Sequence, residues 1–379
     1  MKDQEKIFLW LKLTCARGLG RRRIRRLWEH YKDIKLIFGA SEQELREVCG
    51  APRGIGYELA NNQYNEFAKK EIERCEELGV ELVSLDSPIY PENLLQIPDP
   101  PPIFYLKGTL EKEDKKAVAV VGSRNHNEYG EVMAKKIGSG LAKFGITVVS
   151  GLARGIDSIS QRSALEAGGR SIAVLGSGID VIYPPEMKGL YEEIAQQGAI
   201  ITEYPFGTPP HRENFPERNR IISGLSLAVV VVQATSPKSG SLITAKLALE
   251  QGRMVYAVPG NAGTVWSRQT NQLIKQGAGL VESAEDIVLD LFPTMAFKPE
   301  QLGPLFAQQK EKEQSLTDAE EKIYSLIPEP EEGSIELDHL IRKSGLSSSL
   351  VQAVLIELEL AGLVEKLAGG KWRKKQPLA

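Results

Sequence analysis

Between Ala117 and Ile287, short apolar and largely β-branched runs alternate with longer segments of helical periodicity. Few folds accommodate that pattern. The runs at 117–121, 146–150, 171–175, 199–202, 227–233 and 254–258 predict strands buried on both faces. Helical patterns fall between them, at about 131–144, 156–168, 187–197, 217–224, 241–251 and 268–277. The alternation predicts an α/β domain over 117–294, built on a doubly wound, mostly parallel, Rossmann-like sheet. In such sheets ligands sit beyond the carboxyl ends of the strands, where helix N-termini offer free N–H groups.

At 379 residues the chain is long enough for further domains. Residues 1–85 read as a small helical domain with two glycine turns, Gly18-Leu19-Gly20 and Gly54-Ile55-Gly56. Helix, G-h-G turn, helix resembles the helix-hairpin-helix module, in which glycines let backbone N–H groups approach a DNA phosphate. Five arginines within Arg21–Arg26 favour that for the first turn. A plain helical bundle with a solvated basic face fits the same residues. Prolines make 86–116 a connector, with Ile103–Leu106 a short strand at the edge of the sheet and 111–116 a solvated charged run. Residues 295–314 read as a polar linker. Residues 315–379 follow the winged-helix pattern, three helices and a small hairpin around Gly369-Gly370. The third helix, Ser347–Ala361, presents Ser347, Ser348, Ser349, Gln352, Glu357 and Glu359, a poor set for phosphate. Protein binding or dimerisation suits that unit at least as well as DNA contact.

The net charge of −3 announces no nucleic-acid binder, so such a role must rest on local basic patches. No apolar run approaches a membrane span, and the charged N-terminus is unlike a signal peptide. The three cysteines, Cys15, Cys49 and Cys75, lack metal-ligand spacing and read as reduced thiols of a cytoplasmic protein. Neither G-x-G-x-x-G nor G-x-x-x-x-G-K-[ST] stands at the strand ends. His126, His211, Asp157, Asp180 and Glu203 are conceivable bases and acids, but nothing sets a nucleophile beside a base.

The strand-end loops carry the chemistry instead. Gly122-Ser123-Arg124 follows the first strand, and Gly151 to Arg154 follow the second. Gly176-Ser177-Gly178 follows the third, and Lys238-Ser239-Gly240-Ser241 follows the fifth. Glycines permit close backbone approach, hydroxyls add donors, and arginine grips phosphate best. Such loops on one sheet edge predict a phosphate-binding face. In 211–220, Arg218 and Arg220 stand at i and i+2 and so point to different sides of a helix. Phe215 beside them offers a base a stacking surface, or is a core residue under a solvated turn.

These motifs resemble the DNA-processing protein A (DprA/Smf) family of bacterial natural transformation. The resemblance runs through V-G-S-R at Val121–Arg124, S-G-L-A-R-G-I-D at Ser150–Asp157 and L-G-S-G-I-D-V-I-Y-P at Leu175–Pro184. It continues through F-P-E-R-N-R-I-I-S-G-L-S at Phe215–Ser226, S-G-S-L-I-T-A at Ser239–Ala245 and T-N-Q-L-I-K-Q-G-A at Thr270–Ala278. It implies an extended Rossmann-fold protein that is not an enzyme and needs no cofactor. Such a protein binds and protects single-stranded DNA and helps load the RecA recombinase onto it. By motif, Gly122, Ser123 and Arg124 would hold a backbone phosphate, with Arg218, Arg220, Lys238, Ser239 and Gly240 lining the same pocket. A homodimer is implied, with Asn271, Leu273, Ile274 and Leu280 as the candidate face. A second resemblance is to Rossmann-type nucleotide phosphoribohydrolases, through Pro259–Thr264. There Asn261 replaces a glycine, and Ser267 stands where that family has its acid. A nucleotide-sensing adaptor using the same pocket is a third reading.

Overall fold

The computed structural model describes residues 2–60, 64–292, 318–329, 333–360, 363–367 and 371–375. It forms two compact units, Met1–Ala296 and Phe297–Ala379. The expected linker at 295–314 lies outside the described residues.

The first unit is organised by a nine-stranded sheet. Its strands are β1 (Glu81–Ser84), β2 (Ile103–Gly108), β3 (Ala117–Val121), β4 (Thr147–Ser150), β5 (Ser171–Val174), β6 (Ala199–Thr202), β7 (Ala228–Val231), β8 (Met254–Ala257) and β9 (Gly279–Leu280). Their order is β1-β2-β6-β5-β4-β3-β7-β8-β9. From β6 to β9 all neighbours are parallel, and β1 and β2 add an antiparallel edge. All five residues of β3 are buried, as a continuous apolar run of alanine and valine in a parallel sheet must be. The crossover helices follow the sequence periodicity: α8 (Glu128–Lys143), α9 (Ile156–Glu166), α10 (Lys188–Gln197), α11 (Asn214–Leu225), α12 (Gly240–Glu250) and α13 (Arg268–Lys275). The last helix of the unit, α14 (Ala284–Leu291), packs on α8. Asn127 caps α8 by accepting from the Gly130 N–H at 3.0 Å. α8 and α9 lie in close contact because Gly138 has no side chain; a Cβ there would be 2.4 Å from the Ser160 carbonyl oxygen.

Helices α1 (Lys2–Cys15), α2 (Arg21–Tyr31), α3 (Ile34–Gly39), α4 (Glu42–Cys49), α5 (Ile55–Ala60) and α6 (Asn65–Leu78) precede the sheet. Their buried faces, including Trp10, Leu13, Ile24, Leu27 and Ile55, share one core with Val83, Phe104, Ala117 and Val149 of the sheet. The sheet therefore begins within the stretch read as helical, at Glu81. The connector holds a short helix, α7 (Glu92–Leu95), and is pinned by Asn93, whose amide donates to the Leu225 carbonyl at 3.2 Å. The run at 111–116 is not wholly solvated. Asp114 is buried, accepting from Arg170 at 3.0 Å and Thr147 at 2.7 Å.

In the second unit, helices Asp318–Leu326, Leu337–Ser344 and Ser348–Leu360 enclose a core of Ile323, Leu340, Val351, Leu355 and Trp372. The hairpin of β11 (Val364–Leu367) and β12 (Lys371–Lys374) is joined by β10 (Ile335–Glu336), giving the order β10-β12-β11. This is a winged helix.

Candidate functional site

The strand order creates the site. From β3 the chain winds outward through β4, β5 and β6, then returns to place β7 against the opposite side of β3. The loops after β3 and β7 consequently part, which is where open α/β sheets bind ligands. A cleft of about 670 Å³ opens there, between Gly122–Asn125, the first turn of α11 and the loop leading into α12.

Besides the buried Arg218, three cations line this cleft: Arg124, Arg212 and Lys238. Among the described residues none of them forms an ion pair with a carboxylate. The Arg124 guanidinium lies 5.6 Å from the centre of the Phe215 ring, and the Tyr183 ring lies 5.8 Å from the same centre. Phe215 is half-buried and Tyr183 exposed, so the two rings form an aromatic wall beside the cations. The N-terminus of α12 forms the opposite wall. Ser239 takes the N-cap position, and its hydroxyl accepts from the Ser236 N–H at 3.2 Å rather than from the helix. Leu242 and Ile243 donate to the Ser239 carbonyl, and the preceding amides of Gly240 and Ser241 have no acceptor among the described residues. The Ser241 hydroxyl is buried without a partner. A helix of 11 residues thus points two amides and an unsatisfied hydroxyl into a cleft ringed by free cations. That is a site for an oxyanion.

The floor is built by buried charges, Arg218 and Asp157. Arg218 is only 4% exposed, and its Nη1 donates to the carbonyls of Gly151, at 3.0 Å, and of Val174. Its burial pushes the guanidinium down to about 10, against the opposing pull of Asp157. Burial likewise raises the Asp157 carboxyl, which Arg218 and the amide of Gly151 (3.2 Å) hold down. Both groups flank Gly151. A Cβ there would sit 2.6 Å from Arg218 Nη2 and 2.9 Å from Asp157 Oδ2, so only glycine fits between them. Gly155 has φ +78°, and a Cβ on it would meet the Ser123 carbonyl at 2.4 Å, where the loops after β3 and β4 cross.

Several expected site residues are placed elsewhere. Arg220 leaves the cleft: it faces the opposite side of α11, buried against Glu203 and the Asp99 carbonyl, because residues two apart on a helix diverge. Gly178 gives its N–H to the Thr208 carbonyl at 2.9 Å, Gly176 backs onto the Phe215 ring, and neither lines the cleft. The amides of Ser123 and Gly151 are likewise engaged, by the Gln233 carbonyl (2.9 Å) and Asp157. Arg154 reaches a smaller hollow beside Arg124 but is paired with Glu186. On the proposed dimer face, the Asn271 side chain turns inward and clasps Gly260 (2.8 and 3.2 Å), and Leu273 packs on the core. Ile274 is half-buried, and Leu280, on edge strand β9, is 52% exposed. Tyr183 and Arg212 were not singled out from sequence. Arg212 stood inside the basic stretch at 211–220, whereas Tyr183 had no signal beyond its loop.

A second hollow of about 220 Å³ lies between Tyr129, Trp266 and the loop after β8. Ser267, at the position of the phosphoribohydrolase acid, spends its hydroxyl on the Asn261 carbonyl (2.5 Å) and Thr264 (2.6 Å). Among the described residues no carboxylate lines that hollow, and Asp157 is the one carboxylate lining the cleft. Among the described residues no cluster suits a metal ion, and no helix is long and apolar enough to cross a membrane.

Comparison with known proteins agrees with this architecture. The sequence profile described as "DNA recombination-mediator protein A" matches residues 81–292, from the first strand to the end of α14. That described as "DprA winged helix domain" matches residues 307–370. Protein Smf of Escherichia coli (strain K12) is 38% identical over 92% of this chain and 96% of its own. DNA processing protein DprA of Bacillus subtilis (strain 168) is 42% identical over 57% of this chain and 72% of its own. Among solved structures, DNA processing protein A (DprA) of Streptococcus pneumoniae aligns with a TM-score of 0.66 at 34% identity, over 77% of this chain and 98% of that one. DNA processing protein A of Helicobacter pylori, whose structure describes a single-stranded DNA binding mode, aligns with a TM-score of 0.50 at 30% identity, over 56% and 97%.

Proposed function

The chain belongs to the DNA recombination-mediator protein A (DprA/Smf) family, and from that premise we propose that it binds single-stranded DNA in the cleft at the β3/β7 switch point. One observation carries the reading: Arg124, Lys238 and the uncapped N-terminus of α12 with its buried Ser241 hydroxyl converge on one cleft, and among the described residues neither cation is paired with a carboxylate. These donors suit backbone phosphates of any sequence, and the Phe215–Tyr183 wall gives an unpaired base a surface to stack on. A duplex keeps its bases stacked inside and gains nothing from that wall.

In this reading the protein is a cytoplasmic, non-enzymatic mediator. It protects incoming single strands from nucleases and helps load the RecA recombinase onto them during DNA uptake and recombination. It acts as a homodimer, with Ile274 on α13 and Leu280 on edge strand β9 as the remaining candidates for the contact. The absence of an acid at Ser267 disfavours a phosphoribohydrolase.

Fluorescence anisotropy with a labelled oligonucleotide tests the proposal. Excess unlabelled single strand displaces the probe, a mononucleotide does not, and Arg124→Ala weakens binding. Displacement by the mononucleotide at equal concentration would instead establish a nucleotide-sensing pocket.

A further inference from the structure

The arginine-rich start of α2 is divided between two tasks. Arg21 and Arg25, one turn apart, face the sheet unit. Arg21 pairs with Glu203 (2.9 Å) and Glu217 (3.0 Å), and Arg25 reaches the Ile97 carbonyl. Ile24 and Leu27 enter the core. Arg22, Arg23 and Arg26 are left on the outer face, exposed. Arg23 uses Nη1 to brace the Gly18 carbonyl at 2.7 Å. Arg22 and Arg26, one turn apart, form no ion pair among the described residues.

The two glycine turns stand side by side. A Cβ on Gly18 would lie 2.5 Å from Pro52 Cγ, so the loop before α2 and the loop before α5 are in contact. Arg23 and Arg26 face Cys49, at the start of that second loop, where their charge opposes the upward push that burial gives the thiol. Arg17 and Arg53, one from each loop, are exposed and also without an ion pair among the described residues. In the second turn, Glu42 accepts the Gly54 N–H at 2.9 Å, so any phosphate contact there falls to Arg53. Four free guanidiniums thus gather on one face in a chain whose net charge is −3.

The helix that carries this face is joined to an element of the cleft: through Arg21 and Glu217, the first turn of α2 is tied to the first turn of α11, and Phe215 and Pro216 of that turn line the cleft. We propose that the paired glycine turns form a second phosphate-contact surface, so that one single strand seated in the cleft passes over the first turn of α11 and onto Arg17, Arg22, Arg26 and Arg53. The inference rests on the cleft reading above and extends its footprint. Guanidiniums without base-edge readers suit a backbone followed irrespective of sequence.

The test uses the full chain and single-stranded oligothymidylates of about six and about thirty nucleotides, chosen around the ~4–16 nucleotides a single-strand-binding domain covers. The variant Arg17→Gln/Arg22→Gln/Arg26→Gln/Arg53→Gln should bind the short strand as the wild type does. It should bind the long one roughly tenfold more weakly, with a salt dependence shallower by about 3 in log–log slope. The corresponding four Arg→Lys changes should restore the slope, since lysine keeps the charge. Equal loss for both lengths, no loss for either, or loss confined to a duplex probe overturns the continuous path. Arg124→Ala, run in parallel, should weaken both lengths. If it changes neither, the cleft reading fails and the path fails with it. If it behaves as expected while the four-arginine variant binds normally, only the second surface falls.

Discussion

The switch-point cleft and the wing of the C-terminal unit use the same cations to opposite ends. In the cleft, Arg124, Arg212 and Lys238 stand without carboxylate partners among the described residues, beside an uncapped helix N-terminus. In the wing, the basic run of β12 is matched residue by residue. Lys371 pairs with Glu336 (3.5 Å), Arg373 with Glu365 (2.5 Å) and Lys374 with Glu329 (2.8 Å). Such exposed pairs contribute only about 0–1 kcal/mol each to stability. Their consequence lies in the field they leave, because a phosphate approaching the wing meets three carboxylates as well as three ammonium or guanidinium groups. The helix Ser348–Leu360 offers the exposed Gln352 and Glu359 rather than basic groups. A count of basic residues would rank the two regions alike. Their pairing separates them: among the described residues the cleft presents unpaired cations, and the wing presents cations matched by carboxylates.

The largest effect should come from the buried cation on the floor of the cleft. Arg218→Ala strands the buried Asp157 carboxylate and leaves the Gly151 and Val174 carbonyls without their donor. Loss of one partner of a buried charge pair costs about 3–5 kcal/mol. In a unit of this size the thermal midpoint should fall by roughly 10 °C, read by calorimetry. A midpoint within about 1 °C of wild type would show that Arg218 is not structural. Next, Phe215→Ala removes one ring of the aromatic wall, and single-strand affinity should drop roughly tenfold, the worth of one stacked base. Equal loss for a duplex probe would break the link between that wall and unpaired bases. The smallest effect belongs to the wing: Lys371→Gln/Arg373→Gln/Lys374→Gln should change single-strand affinity by less than about twofold, because its charges are already matched. A loss like that of the cleft variants would erase the distinction between the two regions.

Much of the fold was legible because burial writes itself into sequence. A strand covered on both faces must be apolar throughout, so the runs at 117–121, 199–202 and 254–258 coincide with β3, β6 and β8. The winged helix was readable from three periodic segments and a glycine turn, although β10, two residues long, carries no pattern. The edge strand β1 was missed because the helical periodicity before it runs to Leu78 without a break in composition. Asp114 looked solvated because its neighbours in sequence are charged, while its partners Thr147 and Arg170 are distant along the chain. At the site, helix geometry required Arg218 and Arg220 to diverge, whereas motif resemblance put both in the pocket, and the geometry prevailed. The loop glycines were read as letting a ligand approach the backbone closely. Gly151 and Gly155 instead serve close packing between loops, which no local pattern distinguishes from phosphate binding.

The claim that unpaired cations of the cleft hold the DNA backbone is tested most directly by the salt dependence of single-strand binding. Anisotropy titrations of the full chain and of Arg124→Ala/Lys238→Ala across a series of salt concentrations give the slope of log affinity against log salt. Two lost phosphate contacts should make that slope shallower by about 1.4 and lower the affinity at every concentration. An unchanged slope, whatever happened to the affinity, would mean that Arg124 and Lys238 do not contact phosphate.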